Sequence, residues 1–525
     1  MGSADAGAAR RLLVVGVLSA MLFSGPSPHV DRAAATPDNG VLAAPRDAPG
    51  SDFDGDGYAD LAASAEIWAD GGGESVFPGV VFVLYGSAGG LTRTGMQRWT
   101  AADFVAGDQD EFFGEALAVG DFDGDGYSDL AVGSAEVPFG DVSQSNAGRV
   151  RIVYGSSSGL TRERSQLWSQ DTPGVRGKAE AEDGFGSVLV AADFGRGDQD
   201  DLAIGVGGEN GSSGAVAVVY GSTTGLGVAA NQLWTQASRG VPGKRTRAQE
   251  GFGLSLAAAP FSGGAHADLA VGVPCDRVGG RDEAGSVNVL RGSAAGLTSK
   301  GAQLWNQQMA GIKGTPEQGD WFGWSLVAGH FSGRRSADLA VGVSGENEGS
   351  GAVNVIYGAS RGLTAKGDQI WSHRTKGLGD RRRLDSDLGL QLVTGNFGHD
   401  HRGRRYDDLV ATAYDSKGVN LVAVIYGAAG GLSTKHSRGW DLDSPGIQGE
   451  MVPNGTSFGS ALAAGRFGGR ELDDLVIGDD QYDGGLFVVI NGSASGLTAA
   501  RNRLWTAASF RQPELTYLGK ALAAG

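Results

Sequence analysis

Two short acidic stretches carry the most explicit chemistry in the chain. The first is Asp52-Phe-Asp54-Gly-Asp56-Gly-Tyr58-Ala-Asp60, and the second is Asp121-Phe-Asp123-Gly-Asp125-Gly-Tyr127-Ser-Asp129. Carboxylates at positions 1, 3, 5 and 9 converge on one point when glycines at positions 4 and 6 permit a tight turn, and position 7, Tyr58 or Tyr127, offers a backbone carbonyl. An all-oxygen cage of this kind suits a hard, flexible cation, Ca²⁺ rather than Mg²⁺ or zinc. Four carboxylates in one loop repel each other, so loop order and metal should be linked. Two Ca²⁺ sites are therefore expected.

Other reactive side chains are less organised. Gly155-Ser-Ser157-Ser-Gly159 fits the Gly-x-Ser-x-Gly pattern of a nucleophile elbow. It lies in a turn repeated along the chain and between strands, which favours a structural role. The single cysteine, Cys275, excludes an internal disulfide and thiolate metal clusters. His399-Asp400-His401 could bind a transition metal, but a solvated insertion is the better reading. Arg196-Gly197-Asp198 is treated as a coincidence inside a degenerate acidic loop. No catalytic residue is assigned.

The elements around the acidic loops repeat. Tyr-Gly-Ser-x-x-Gly-Leu, with variations, starts at Tyr85, Tyr154, Tyr220, Arg291, Tyr357, Tyr426 and Asn491. Asp-Leu-Ala-Val-Gly or a near copy starts at Asp60, Asp129, Asp201, Asp268, Asp338, Asp408 and Asp474. A tryptophan follows each Gly-Leu, at positions 99, 168, 234, 305, 371, 440 and 505. Phe-Gly-x-x-Leu or a near copy starts at Phe113, Phe185, Phe252, Phe322, Leu388, Phe458 and Leu518. Four marks in one order, seven times, predict seven equivalent units.

Each unit reads as four short strands separated by glycine turns. Asp129 to Gly133 is apolar enough for burial on both faces, whereas Val150, Ile152 and Tyr154 alternate with Arg149, Arg151 and Val153. The expected fold is all-β, a seven-bladed β-propeller of four-stranded blades. The first unit lacks a Phe-Gly strand, and the last Phe-Gly strand, Leu518 to Gly525, has no partner after it. Pairing this C-terminal strand with the N-terminal blade closes the ring and leaves no end blade exposed. The acidic loop resembles the first nine residues of an EF-hand loop, but it lacks flanking helices and has Val132 at the twelfth position of the second copy, which excludes a helix–loop–helix.

Arg10-Arg11 followed by the apolar run Leu12 to Phe23 predicts a signal peptide over 1–36, by either the general or the twin-arginine route. Residues 37–50 read as a linker and 51–525 as the propeller, and no other stretch predicts a membrane span in the mature chain. The formal charge of −17 speaks against nucleic acid and anionic membrane surfaces as partners. Glycine supplies 91 of 525 residues without a collagen-like period, consistent with many tight turns.

Taken together, Phe-Gly, Gly-Asp-Phe-Asp-Gly-Asp-Gly-Tyr-x-Asp-Leu and the apolar Ala-Val-Gly resemble FG-GAP repeats. These form the propeller of integrin α chains, and they occur in exported bacterial proteins and beside a phospholipase domain in a glycosylphosphatidylinositol-cleaving enzyme. The resemblance covers residues 51–525. It implies calcium held by Asp52 through Asp60 and by Asp121 through Asp129 on one face, with ligand binding on the opposite face. The other five loops depart from the pattern. The third keeps Asp193 and Asp201, the fourth and fifth keep only Asp268 and Asp338, and arginines at 334, 335, 404, 405, 466 and 470 are expected to replace the ion in part. No leg domains follow, so an integrin-like receptor role is not expected.

Strand alternation places the acidic loops and the Gly-Ser turns on one face and the longer, irregular loops on the other. Variable loops on a rigid scaffold are the usual home of binding. Trp68, Phe77, Phe139 and Trp321 fall on that second face and could stack on a sugar or anchor a protein. The expected function is a secreted, monomeric, non-catalytic binding or adhesion module for an extracellular protein or glycan. The alternative is a propeller hydrolase or lyase acting on glycan or lipid headgroups.

Overall fold

The computed structural model describes residues 50–525 except 68, 71–74, 77, 107, 109–111, 136–146, 244–248, 380–383, 400–405, 416–419, 450–456, 470, 482–483 and 525. The segments expected to be signal peptide and linker lie outside the described residues, save Gly50. Seven antiparallel sheets follow one another along the chain as the blades of a propeller. In the second blade, Ala116–Gly120, Asp129–Ser134, Arg149–Tyr154 and Thr161–Trp168 pair in sequence order. Among the described residues, helix is limited to three four-residue turns and one short 3₁₀ turn.

Burial explains the composition of each strand. Asp129–Ser134 is buried along its whole length because both of its faces meet neighbouring blades. Thr161–Trp168 lies at the rim and is exposed over its middle, which suits its polar sequence. The third strand departs from the expected half-buried alternation: Arg149–Tyr154 is buried throughout. Arg149 Nη2 pairs with Asp108 at 2.9 Å, and the Arg151 guanidinium lies 4.6 Å from the centroid of the Phe104 ring. The connection between the first two blades thus covers both arginines.

The ring closes as expected. Leu522–Ala523 and Leu515–Thr516 both pair with Leu61–Ile67, in the register Ala62 with Ala523 and Glu66 with Thr516. The innermost strands Ala116–Gly120, Phe185–Ala192, Ser255–Ala259, Phe322–Gly329, Leu392–Gly395, Leu462–Gly465 and Leu522–Ala523 touch in turn, and the last touches the first. Phe510 wedges the closing seam, with its ring 4.5 Å from that of Phe82 and 5.9 Å from that of Trp505.

A polar clasp joins neighbouring blades. The Tyr154 hydroxyl donates to Gln166 Oε1 (2.8 Å) and accepts from the Leu226 N–H of the next blade (3.2 Å), while Gln166 Nε2 donates to the Leu226 carbonyl (3.0 Å). Tyr220 with Gln232 and Tyr357 with Gln369 grip Leu297 and Leu432 in the same way. The tyrosine ring leaves room for nothing but glycine in the turn opposite. A Cβ on Gly225 would stand 1.9 Å from the Tyr154 hydroxyl oxygen.

Candidate metal centre and binding face

The first acidic loop is wound around Asp52. Its Oδ1 accepts from the N–H groups of Gly55 (2.7 Å) and Asp56 (3.0 Å), and its Oδ2 accepts from Gly57 (2.9 Å). Carboxylate oxygens of Asp52, Asp54 and Asp60 come within 4.8 Å of one another. Burial, and then the charges of Asp54 and Asp52, push Asp60 up to about 8 against the pull of two backbone N–H donors. Asp52 and Asp54 are also raised, chiefly by burial. Three converging carboxylates that resist ionisation together fit a cation, which would relieve the repulsion, and the all-oxygen donor set fits a hard one. Asp56 is exposed and stands outside this group, and it accepts the Tyr58 N–H at 2.9 Å.

The second loop repeats the arrangement with Asp121, Asp123 and Asp129. Burial raises Asp121 and Asp125 and drives Asp129 well above the usual carboxylate range. Asp125 again lies outside the group and accepts the Tyr127 N–H at 3.0 Å. Here a cation is already at hand: Arg164 Nη2 lies 2.9 Å from Asp123 Oδ2. The first loop has Gly95 at the matching place in its blade, so it has no such arginine.

The ninth-position aspartate has a duty in every blade. Asp60, Asp129, Asp201, Asp268, Asp338, Asp408 and Asp474 each accept, at 2.8–3.0 Å, the N–H of the glycine that follows the third-strand tyrosine or its counterpart Arg291 or Asn491. This brace accounts for its retention in loops that have lost the other carboxylates. In the third loop, Asp193 meets His266 Nδ1 at 3.1 Å. In the fourth, Arg291 Nη1 lies 3.2 Å from Asp268 Oδ2. In the fifth, the Ser332 hydroxyl donates to Asp338 (3.0 Å), while Arg334 lies beside the Tyr357 ring. Arg404, Arg405 and Arg470 fall outside the described residues.

Successive loops on this face are chained through their backbones. Asp52 O accepts from Ser128 N (2.9 Å), Asp121 O from Asp200 N (2.9 Å) and Asn396 O from Asp473 N (2.8 Å). Arg466 O accepts from Ala59 N (3.3 Å), so the chain also crosses the closing seam.

On the opposite face, Trp68, Phe77 and Phe139 lie outside the described residues. Trp321 is half-buried at a positive φ of 55°, and its ring centroid is 5.6 Å from that of Trp324. Trp324 escaped the sequence reading. Its signal is the residue after Phe-Gly, which elsewhere is Glu115, Ser187, Leu254, Leu390, Ser460 or Lys520. Lys520 Nζ is tied to Glu66 Oε1 at 2.8 Å. Buried carboxamide–carboxylate pairs recur on this face: Gln170 donates to Glu209 and Gln307 to Glu346, each at 2.6 Å.

The other reactive candidates are not assembled into a site. Ser157 is at an exposed turn tip, and its neighbour Ser156 caps the turn by donating to Gly159 O (2.7 Å). Burial pushes the Cys275 thiol up to about 11, away from the reactive thiolate. His399 stacks on His436 at 4.3 Å, and Asp400 and His401 lie outside the described residues.

A family model for the FG-GAP repeat matches residues 113–153, the stretch from Phe113 through the second acidic loop to the third strand. All seven sheets share that plan. The chain is a seven-bladed β-propeller that carries an FG-GAP repeat. Over 219 residues, 41% of its length, this propeller is 29% identical to phosphatidylinositol-glycan-specific phospholipase D of Bos taurus. The aligned stretch spans 24% of that relative. A solved structure of the Dos1 propeller covers 69% of this chain and is itself covered over 78%, at 12% identity and a TM-score of 0.34. Among the described residues, no helix of the propeller is long and apolar enough to cross a membrane.

Proposed function

We propose that this chain is an exported FG-GAP propeller that binds calcium in its first two acidic loops and serves as a non-catalytic binding or adhesion module for an extracellular or cell-surface macromolecule. The observation that carries the metal reading is the convergence of Asp52, Asp54 and Asp60, and of Asp121, Asp123 and Asp129, to within 4.8 Å. Asp56, Tyr58, Asp125 and Tyr127 complete the proposed ligand sets by movement of their exposed or half-buried loop segments. The signal peptide over 1–36, the linker over 37–50 and the monomeric secreted propeller over 51–525 belong to the same reading.

The ligand face is the one opposite the acidic loops. It is supported by the half-buried Trp321–Trp324 pair, since adjacent indoles offer a flat apolar surface with polar edges, suited to a sugar ring or a protein anchor. Trp68, Phe77 and Phe139 are assigned to the same face from sequence. An array of glycans and surface proteins, probed with the calcium-loaded chain and with Trp321→Ala, tests this. Retention by a defined ligand that Trp321→Ala weakens supports the module. Equal retention by both proteins removes Trp321 from the site.

A second reading, a hydrolase or lyase acting on glycan or lipid headgroups, is favoured by the 29% identity to the phospholipase D. Its test is headgroup release from phosphatidylinositol-glycan vesicles. Turnover proportional to enzyme concentration would replace the non-catalytic reading.

A further inference from the structure

We infer that the seam between the last and first blades holds a pocket for a small organic anion, on the face that carries the acidic loops. This inference does not depend on the proposed calcium or adhesion function. It begins with the tyrosine clasp. At five of the seven junctions a tyrosine hydroxyl fills the space against the turn glycine of the next blade: Tyr85 on Gly159, Tyr154 on Gly225, Tyr220 on Gly296, Tyr357 on Gly431 and Tyr426 on Gly496. At a sixth, Arg291 fills it, with Nη1 2.6 Å from where a Gly362 Cβ would sit.

The seventh junction is different. Asn491 stands where the tyrosine would be, and its Nδ2 turns back to donate to Ala500 O (3.1 Å) within its own blade. A Cβ on Gly90, the turn glycine opposite, would meet nothing within 4 Å. The missing ring leaves a cavity of about 240 Å³. That is below the roughly 300–1,000 Å³ of sites for drug-sized ligands, so one small molecule is the fitting occupant.

Charge and shape set the class of occupant. Arg501 and Arg503 line the cavity, and Phe467 contributes an apolar wall. Arg503 Nη1 already donates to Leu91 O. Arg501 is exposed and makes no hydrogen bond or ion pair with the described residues. Its counterpart in the second blade, Arg164, shows what this position does when a carboxylate is within reach, since it pairs with Asp123. Among the described residues, Asp474 is the one carboxylate lining the cavity. It is buried, and its Oδ1 is engaged by Gly492 N at 3.0 Å. Two guanidiniums against one engaged carboxylate favour a carboxylate, sulfate or phosphate group on a compact, partly apolar body.

Calorimetric titration of the full chain with glucuronate, inorganic phosphate, inorganic sulfate and neutral glucose tests this. Saturable binding of at least one anion, without binding of glucose, is expected, and the anion preferred names the group recognised. Arg501→Gln should weaken that binding about tenfold or more. Asn491→Tyr should abolish it by restoring the missing ring; the sixth blade carries the same combination, Tyr426 with Arg438 at the position of Arg503. If no anion binds, if glucose binds as well as the anions, or if Arg501→Gln retains wild-type affinity, the proposal is overturned. The Arg501→Gln result stands even if Asn491→Tyr does not fold.

Discussion

Arg164 Nη2 lies 2.9 Å from Asp123 Oδ2, so an arginine side chain reaches into the second acidic loop from the outer strand of the same blade. The arginine is 55% exposed and the carboxylate 2% exposed, which makes the pair easy to part from the arginine side. A divalent ion entering the loop must compete with this guanidinium. Arg164→Ala should therefore tighten calcium binding at the second loop several-fold and leave the first loop unchanged. Terbium luminescence in an Asp54→Asn background isolates the second loop, and an unchanged affinity there would show that the pair does not compete.

Both loops should couple metal to stability. Extracellular calcium modules bind at about 10⁻⁴–10⁻³ M, and ligand at 100 times Kd adds about 2.7 kcal/mol per site. Melting in excess calcium and in chelator should differ by several degrees for the native chain. The difference should shrink in Asp54→Asn or Asp123→Asn and vanish in the double variant. Identical melting curves with and without calcium would refute metal binding at both loops.

The turn glycines give a paired test of the clasp. Gly159 and Gly90 have φ of 85° and 88°, so alanine at either pays about 1 kcal/mol of left-handed strain. Only Gly159→Ala also meets an obstacle, because its Cβ would stand 1.8 Å from the Tyr85 hydroxyl oxygen. Overpacking should add about 1–3 kcal/mol there. Denaturant midpoints for the two variants should separate accordingly, and equal losses would contradict an open seam at Gly90.

Much of this was legible in the repeat itself. Four short phrases set the number of blades, and the incomplete first and last copies pointed to the pairing of Ala62 with Ala523. The convergence of Asp52, Asp54 and Asp60 follows from spacing and glycine turns alone. What escaped depends on contacts with no local pattern. Arg149 and Arg151 look like the solvent side of a strand because their covers, Asp108 and Phe104, lie in a connecting loop. Arg164 looks like an ordinary rim charge because Asp123 lies two strands away. Asn491 reads as a worn copy of a phrase, and its effect shows only at Gly90, across the ring closure.

Burial pushes Glu346 up from the ordinary glutamate value to about 7, and the charges of Asp320 and Glu317 act in the same direction. The folded state then holds its proton more tightly than the unfolded state, so stability is favoured below the unfolded value near 4.5 and falls as pH rises towards 7. Glu346→Gln should flatten this part of the stability profile, measured by urea unfolding from pH 4.5 to 7.5. A slope unchanged by the substitution would assign the effect to other groups.

The closing seam is fastened unevenly. Phe510 grips Phe82 and Trp505 toward the face opposite the acidic loops, while beside Gly90 the tyrosine wedge is missing. The last joint is thus held by aromatic rings at one rim and by the Arg503–Leu91 contact and the backbone link from Ala59 to Arg466 at the other.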